Sequence, residues 1–207
     1  MKSAKAFAPA NISLIFKVVK DGSLGVGFTV DKGVTAEVSF AENTEVYFNN
    51  SPIDFPTVRA IIPKNVKVSL HTELPLGAGF GISGASALAS ALAVNTLLVL
   101  NKPRLELAKI AHRAEVENKT GLGDVVNQYF GGFLVKRVSS VKFRVERLPL
   151  TGTPVYCISY GKLLTSSVLK NLHAVKRINF AADRTLRKIT TRLSFSEILM
   201  IAKTFAK

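Results

Sequence analysis

The amino-acid sequence predicts an α+β fold, in which an early antiparallel sheet is covered by helices from later in the chain. Strand-like segments rich in β-branched and aromatic residues dominate residues 4–74. Segments rich in alanine and leucine, with the spacing of helices, begin near residue 85. This order lacks the strict alternation of strand and helix that characterises a doubly wound α/β fold.

The predicted strands follow one another closely in the first third of the chain. One or two strands occupy residues 4–19, with a break at Pro9 and Ala10, and a glycine-containing turn follows. Pro56 is compatible only with the first turn of a helix, so a short helix is predicted over residues 54–62. Further strands are predicted at residues 28–30, 34–40, 45–48 and 66–74.

Helices are predicted in the middle and at the end of the chain. Residues 85–100 are almost wholly apolar, which predicts a buried helix, and Pro103 is placed to start a second helix over residues 104–118. Asp124 begins a short helix that ends at Tyr129. The later elements are strands at residues 133–138, 141–148 and 155–159, a connection at 161–167, and helices at 174–190 and 195–206. A boundary near residues 150–154 would divide the chain into domains at 1–150 and 151–207.

The chain is strongly basic, with a net charge of +14 in an otherwise globular composition of 47% hydrophobic residues. The last 38 residues carry nine Lys and Arg against Asp183 and Glu197. A non-catalytic module that binds nucleic acid through residues 170–207 is therefore one hypothesis. The segment lacks interleaved aromatic residues, zinc-finger spacing and an RNP motif, so we expect nucleic acid not to be the partner.

The apolar segments of the chain predict neither a signal peptide nor a membrane span. The start of the sequence has no apolar h-region. Residues 85–100 form the longest apolar stretch, which falls short of the roughly 20 residues that a span needs. The single cysteine, Cys157, excludes an internal disulfide, and its apolar neighbours predict a core thiol. We expect a cytoplasmic protein.

A glycine-rich stretch at residues 75–86 lies between a predicted strand and the apolar helix. Glycine lets successive backbone N–H groups turn towards a ligand, and the start of a helix adds unpaired N–H groups and a positive dipole. Such a loop suits a polyphosphate. It is equally compatible with a tight turn between strand and helix, and the residues leave both interpretations open. Its glycines are Gly77, Gly79, Gly81 and Gly84.

Acidic residues surround a second glycine-containing turn at residues 119–124. Carboxylates can bind Mg²⁺ and orient an acceptor hydroxyl, and a serine hydroxyl at Ser83 can also bind Mg²⁺. The alternative is that Glu115 and Glu117 are solvated helix residues and that Asp124 caps a helix. No Lys-Ser/Thr pair follows the first glycine loop, which excludes a P-loop NTPase, and no early βαβ unit surrounds it.

Three segments together resemble the GHMP kinase superfamily. Residues 75–85 resemble its Pro-x-x-x-Gly-Leu-Gly-Ser-Ser-Ala loop, and residues 7–12 resemble its Ala-Pro-Gly-Lys-Val element. Residues 111–128, Ala-His-Arg-Ala-Glu-Val-Glu-Asn-Lys-Thr-Gly-Leu-Gly-Asp-Val-Val-x-Gln, are the most specific part. Within the superfamily the resemblance is closest to the archaeal pantoate kinase family, and it extends over essentially the whole chain.

The resemblance implies a fold, a reaction and two cofactors. The fold is an N-terminal domain like domain 2 of ribosomal protein S5, followed by a partial C-terminal GHMP kinase domain. The reaction is the ATP- and Mg²⁺-dependent phosphorylation of the 4-hydroxyl of pantoate in archaeal coenzyme A synthesis. Another small hydroxy acid or alcohol is the alternative acceptor, and a homodimer is a further possibility. Since family members usually continue well past residue 207, we expect a reduced relative or an incomplete chain.

The resemblance also implies roles for individual residues. Ser83 and Glu115 match the metal ligands, and Asp124 matches the acidic residue that faces the acceptor hydroxyl. Asn11 stands where mevalonate kinases have a lysine that partners this aspartate, so Asp124 has to work with an amide, with a lysine from elsewhere, or mainly by orientation. The ATP phosphates are assigned to Gly77, Ala78, Gly79, Phe80, Gly81, Ile82, Ser83, Gly84 and Ala85.

The acceptor side of the site is less well specified by the sequence. Asn11, Ser23 and Gly25 are candidates for substrate contacts, although Ser23 and Gly25 can equally form a hairpin. Arg113, Lys136 and Arg137 are candidate partners of a substrate carboxylate, each with solvated surface as the alternative. His112 lies beside apolar helix positions, which predicts a packed core histidine.

Overall fold

The computed structural model describes residues 2–149, 152–162 and 165–206, and its centre is a long β-hairpin. Strands β1 (Ser3–Val19) and β2 (Gly22–Phe40) pair antiparallel along nearly their whole length. The pairing register shifts between Pro9 and Asn11 and again between Ser13 and Ile15. A bulge bends a strand without ending it. The predicted break at Pro9 is therefore a bulge within one continuous strand.

The remaining strands extend this hairpin into a mixed sheet. Strand β5 (Val66–His71) pairs with residues 35–40 of β2, and β6 (Phe133–Lys136) pairs with residues 25–28 of the same strand. Beyond β5 lie β3 (Glu45–Phe48), parallel to β5, and then β4 (Ser51–Pro52) at the edge, while β7 (Glu146–Arg147) lies beyond β6. Since β5 and β6 occupy opposite ends of β2, the bulged middle of the hairpin lies between them.

Helices cover the sheet, which confirms the α+β class. The long apolar segment forms α2 (Ile82–Leu97), the most deeply buried of them, because nearly all of its side chains face other elements. Pro56 and Pro103 stand at or just before the first residue of α1 and of α3, as predicted. The helices are α1 (Pro56–Arg59), α2, α3 (Arg104–Glu117), α4 (Asp124–Phe130), α5 (Thr165–Lys170), α6 (Leu172–Leu186) and α7 (Phe195–Phe205).

Two apolar cores pack against different halves of the hairpin. The first joins the outer half of the hairpin and β5 to α2, α3 and α4. The second joins the half near the hairpin turn to β6, α6 and α7, and its buried side chains include Ile15, Phe28, Phe133 and Ile198. Edge-to-face contacts between the rings of Phe28, Phe133 and Phe195 hold α7 against the sheet. The basic C-terminal helices are thus packed on the same sheet as the rest of the chain.

Replacing Ile198 by alanine is expected to lower the free energy of unfolding by about 2–5 kcal/mol, because it removes a fully buried side chain from the second core. The matched control is Met200→Ala on the exposed side of α7, which is expected to have little effect. Urea denaturation followed by circular dichroism measures both. Equal stability of the two variants would contradict the packing of α7 onto the sheet.

Three predicted elements differ in the structure. Residues 155–159 are irregular and exposed because, within the ranges that the structure describes, no strand pairs with them, and Cys157 is therefore exposed rather than a core thiol. The strand predicted at 141–148 is reduced to β7, since a 3-10 turn occupies Ser140–Lys142. Helix α5 begins within the predicted connection at 161–167, of which residues 163 and 164 lie outside the described residues.

Two further points concern the organisation of the chain. The boundary predicted near residues 150–154 includes residues 150 and 151, which lie outside the described residues. The division into domains 1–150 and 151–207 therefore stays a prediction. Among the helices of the described residues, none combines the length and the apolar character that crossing a membrane requires.

Candidate active site

A cavity of about 570 Å³ opens beside the glycine-rich loop. The second bulge of β1 contributes Ser13 to its walls, the start of β2 contributes Ser23, and α4 contributes Asp124 at its first residue. The loop at 119–123, the strand end at Lys136 and one side of α5 complete the lining. The two segments that the sequence singled out, residues 75–86 and 119–124, thus face one another across the same space.

The glycine-rich loop has the backbone geometry of an anion site. Gly77, Gly79 and Gly81 have φ angles of +83°, +87° and +62°, a left-handed conformation that favours glycine. Gly81 precedes α2, and no side chain caps that helix, so the N–H groups of its first turn remain available to a ligand. Residues 77–83 line the cavity, whereas Gly84 and Ala85 lie within the helix and are buried.

Backbone and side-chain hydrogen bonds hold this loop in place. The N–H of Asn11, at the bulge of β1, donates to the Phe80 carbonyl at 3.0 Å. The side-chain Nε2 of Gln128 on α4 donates to the Gly81 carbonyl at 2.8 Å. The loop is therefore tied to both the sheet and α4.

Glu115 and Ser83 form a buried pair of oxygen groups behind the loop. Glu115 on α3 is 1% exposed, and its Oε1 accepts a hydrogen bond from the Thr120 hydroxyl at 3.1 Å. Its Oε2 has no hydrogen-bond partner among the described residues, and the buried Oγ of Ser83 has none of good geometry. Burial, and then the charge of Asp124, raises the pKa of Glu115 to about 8, although the nearby Ser83 and Thr120 hydroxyls lower it.

Two glycines make room for this carboxylate. A Cβ atom on Gly121 would lie 2.2 Å from Oε2 of Glu115, and one on Gly84 would lie 2.7 Å from the same atom. Both positions exclude larger residues because the backbone of α2 and that of the loop after α3 approach Glu115 from opposite sides. The Gly121-Leu122-Gly123 turn thus has a packing reason that its sequence alone did not reveal.

A chain of hydrogen bonds connects Asp124 to a buried lysine. Nζ of Lys136 donates to Oδ1 of Asn127 at 2.8 Å, and Nδ2 of Asn127 donates to Oδ1 of Asn11 at 2.8 Å. Nδ2 of Asn11 in turn donates to Oδ1 of Asp124 at 2.6 Å. The chain fixes the orientation of both amides, because each one donates at one end and accepts at the other. Asn11 therefore supplies the amide partner of Asp124, and the lysine comes from β6.

The charges of Asp124 and Lys136 oppose the effect of their burial. Burial raises the pKa of Asp124, while Lys136 and the hydrogen bonds from Asn11 and Ser13 lower it. Burial lowers the pKa of Lys136 to about 8, and the carboxylate of Asp124 acts in the other direction. A carboxylate and a cation thus line the same cavity, joined through the amides of Asn11 and Asn127, and burial weakens the screening of their electric fields.

The other candidate residues have different surroundings. Ser23 lines the cavity, whereas Gly25 pairs with Phe16 in the hairpin and lies outside the lining. Asn11 is buried behind Asp124. Arg113 is exposed, as is Glu117 on the same helix. Arg137 forms an ion pair with Glu146.

Among Arg113, Lys136 and Arg137, the three candidate partners of a substrate carboxylate, Lys136 is the buried one and lies at the cavity wall, so it is not a solvated surface residue. His112 is buried, as predicted, and burial together with the nearby Lys136 lowers its pKa to about 4.

Sequence reasoning missed three polar residues of the site. Asn127 and Gln128 follow Asp124 by three and four residues on α4, so they share its helix face, and this spacing was a usable signal. Ser13, whose Oγ lies 3.4 Å from Oδ1 of Asp124, carried no signal in the sequence. Over the described ranges there is no cluster of three or more His, Cys, Asp or Glu side chains that could hold a metal ion.

Comparisons with known proteins agree with this arrangement. Residues 48–132 match the family model of the GHMP kinases N-terminal domain. The chain is 31% identical to the pantoate kinase of Methanocaldococcus jannaschii over 215 residues, covering 97% of this chain and 78% of that protein. It is 28% identical to the pantoate kinase of Methanospirillum hungatei over 221 residues, covering 98% of this chain and 74% of that protein.

A solved structure described as a phosphotransferase related to the CoA biosynthesis pathway superposes with a TM-score of 0.75 at 26% identity. The superposition covers 99% of this chain and 75% of that one. The mixed sheet with its packed helices is thus the GHMP kinase fold, as the resemblance implied. From its fold and its sequence alike, the chain belongs to the GHMP kinases.

Proposed function

We propose that this chain is a pantoate kinase, which transfers a phosphoryl group from ATP to the 4-hydroxyl of pantoate. The observation that carries the proposal is the cavity in which the glycine-rich loop, the carboxylate of Asp124 and the cation of Lys136 meet. Similarity to pantoate kinases over nearly the whole chain supports the choice of acceptor. A protein catalyses phosphoryl transfer mainly by positioning the two reactants and by stabilising negative charge in the transition state.

The glycine-rich loop would bind the phosphates of ATP. Its left-handed glycines and the uncapped start of α2 offer backbone N–H groups to an anion. Hydrogen bonds from Asn11 and Gln128 to the carbonyl groups of Phe80 and Gly81 anchor the loop for this role.

Mg²⁺ is the cation that the neighbouring oxygen atoms fit. Oε2 of Glu115 and Oγ of Ser83 are both buried without a well-formed hydrogen bond, and hard oxygen ligands are those that Mg²⁺ prefers. These two residues would hold the ion, which supplies positive charge to the β- and γ-phosphates of ATP when bound. Glu115 is then required in its ionised form, so binding of the cation is expected to release a proton at neutral pH.

Asp124 would orient the acceptor hydroxyl for in-line attack and accept its proton. Asn11 and Ser13 direct hydrogen bonds at one carboxylate oxygen, so the carboxylate is held in a single orientation at the cavity wall. The charge of Lys136 favours its ionised form. In this chain an amide and a lysine from a different strand together replace the single lysine of mevalonate kinases.

Lys136 would also attract the carboxylate of pantoate. It lines the cavity beside Asp124 and has no carboxylate within ion-pair distance in the described structure. Its Nζ donates hydrogen bonds to Oδ1 of Asn127 and to the Gly123 carbonyl, which are both uncharged groups. A substrate anion would therefore meet a cation whose charge the protein only partly balances.

Replacing Lys136 by methionine is expected to raise the KM for pantoate by at least about tenfold, since a hydrogen bond to a charged group is worth roughly 1.5–3 kcal/mol. In the wild type, kcat/KM for pantoate is expected to fall as the pH rises through about 8, because Lys136 then loses its proton. The variant is expected to lack this decrease. Initial rates between pH 6 and 9.5 measure both effects, with Lys109→Met on the exposed side of α3 as the control. An unchanged KM in Lys136→Met would contradict the assigned role.

The acceptor itself is tested by ATP turnover on four alcohols. Phosphorylation of pantoate, with little or none of mevalonate, homoserine or shikimate, is the expected result. Preference for one of the others would leave a GHMP kinase with a different acceptor. If none is phosphorylated, and nucleic acid binds tightly with a steep dependence on salt, the basic helices at residues 170–207 would be the functional surface instead.

A further inference from the structure

Ser140, in the 3-10 turn after β6, lies behind the cavity wall and contacts three separate segments. Its Oγ is 2.6 Å from the carbonyl oxygen of Leu122, to which it donates a hydrogen bond. The same atom accepts from the backbone N–H of Ser23 at 3.0 Å and lies 3.2 Å from Nε2 of His112. The side chain is 1% exposed, so water does not compete for these contacts.

The three contacts use the whole hydrogen-bonding capacity of one hydroxyl. A serine hydroxyl has one proton to donate and two lone pairs with which to accept. The proton goes to the Leu122 carbonyl, which can only accept, and one lone pair takes the N–H of Ser23. The remaining lone pair can only accept from His112, so Nε2 of His112 has to carry a proton.

The surroundings of His112 agree with this protonation state. Its Nδ1 is buried and has no hydrogen-bond partner in the described part of the chain. An unprotonated ring nitrogen is less costly to leave unpaired than a buried N–H donor. The nearby Lys136 and the burial of the ring both disfavour a second proton, so the ring is neutral with its hydrogen on Nε2.

The segments that Ser140 connects are those that shape the acceptor side of the cavity. Leu122 precedes Gly123 and Asp124, and Ser23 lines the cavity from the start of β2. The hydroxyl of Ser23 also reaches the Leu122 carbonyl, at 3.3 Å. The approach is close, since a Cβ atom on Gly22 would lie 2.1 Å from Oγ of Ser140 and one on Gly123 would lie 2.3 Å from Oγ of Ser23.

We propose that Ser140 is a positioning residue, whose hydroxyl holds the Leu122 carbonyl and the Ser23 N–H together as a clamp. The His112 ring, protonated on Nε2, donates to the same hydroxyl and so fixes its orientation. This inference rests on the proposed function, because the wall it holds is the one that would receive the acceptor alcohol. Within the described residues, the hydrogen bonds of Ser140 reach neither the glycine-rich loop nor the Glu115–Ser83 pair. The clamp thus sets the position of Asp124 and Ser23 relative to each other, and its hydrogen bonds lie on the acceptor side of the cavity.

The first test is independent of activity. Long-range ¹H–¹⁵N correlation spectra of the wild-type protein at pH 7 distinguish the two neutral forms of a histidine ring. We expect His112 to be neutral with its proton on Nε2. A proton on Nδ1 would overturn the clamp, because Ser140 would then donate to His112 and release the Leu122 carbonyl.

The second test compares substrate dependence in matched serine variants. Ser140→Ala is expected to lower kcat/KM for pantoate by about 10- to 100-fold, with part of the loss as a higher KM for pantoate and no change in the KM for ATP. Ser140→Cys, which keeps the shape and a weak S–H donor, is expected to have a kcat/KM for pantoate between those of the wild type and Ser140→Ala. The control is Ser90→Ala on α2, since that hydroxyl is equally buried and has no partner in the described structure.

The outcomes separate the clamp from a general effect on stability and from the proposed function. A lower kcat with unchanged KM values for both substrates would indicate only a smaller folded fraction and would overturn the inference, as would wild-type kinetics. If the wild type does not phosphorylate pantoate, the proposed function fails, while the tautomer of His112 still decides whether the clamp exists.

Discussion

Replacing Asp124 by asparagine is expected to lower kcat for pantoate phosphorylation by about 10²- to 10⁴-fold, the range typical for loss of a general base. The amide has nearly the same shape and can still accept the hydrogen bond from Asn11, so the cavity wall is expected to keep its structure. The KM for ATP is expected to remain unchanged, because the glycine-rich loop takes its hydrogen bonds from Asn11 and Gln128. Steady-state kinetics with each substrate varied in turn measures these values.

The matched control for this variant is Asp183→Asn. Asp183 lies on α6, where it forms an ion pair with Lys17 at 2.7 Å, outside the cavity lining. The Asp183→Asn variant is expected to have the wild-type kcat and both wild-type KM values. A wild-type rate in Asp124→Asn would contradict the assignment of the acceptor side, whatever the alcohol.

Replacing Glu115 by glutamine is expected to affect stability and catalysis in opposite directions. Below about pH 4.5 this carboxyl is protonated in the folded and unfolded chains alike, so it contributes no pH dependence there. Between pH 4.5 and about 8 only the folded chain retains the proton, and the stability of the wild type decreases with rising pH. The glutamine variant lacks this decrease. Its stability advantage is therefore expected to grow by up to about 1.4 kcal/mol per pH unit within this window.

Urea denaturation at several pH values between 4.5 and 9, in the presence of a chelator, measures this advantage. Glu117→Gln is the matched control, because Glu117 lies two residues further along the same helix and is exposed. That variant is expected to follow the wild-type curve. A constant difference between Glu115→Gln and the wild type at every pH would contradict the raised pKa.

Activity is expected to move the other way. An amide oxygen is a weaker ligand for a hard cation than a carboxylate, so Glu115→Gln is expected to need more Mg²⁺ for half-maximal rate. A variant that gained stability and kept the wild-type Mg²⁺ dependence would identify Glu115 as a buried carboxyl with no role in the reaction. The opposite signs distinguish a functional carboxylate from a purely structural one.

The sequence was most informative where local chemistry decides the outcome. Alternation in residues 66–71, the apolar run of α2 and the proline that precedes α3 placed these elements to within a few residues. Gly77, Gly79 and Gly81 predicted a loop that can turn its N–H groups towards a ligand before a helix, and all three adopt the left-handed conformation that glycine favours. The resemblance of residues 111–128 to GHMP kinases identified the family correctly.

Residues 155–159 show where local pattern is insufficient. Their β-branched and aromatic side chains predicted a strand and a buried thiol at Cys157, yet the segment is irregular and exposed. A strand requires hydrogen bonds from a neighbouring chain segment, and a short apolar run does not specify one. The same reason explains why only Glu146 and Arg147 of the strand predicted at 141–148 are paired.

From its sequence alone, this protein's α+β class and the position of its glycine-rich loop could be inferred, because each depends on residue types at short spacing, whereas the link between that loop and Glu115 and Asp124 came from the resemblance to GHMP kinases. The tertiary structure decided which lysine serves Asp124, since Lys136 reaches it only through Asn127 and Asn11, on three different elements. It also decided that Glu115 is buried with a free oxygen, because α2 and the turn after α3 approach it through Gly84 and Gly121. Contacts between segments far apart in the chain produce no local sequence pattern, so they could not be predicted from the residues that make them.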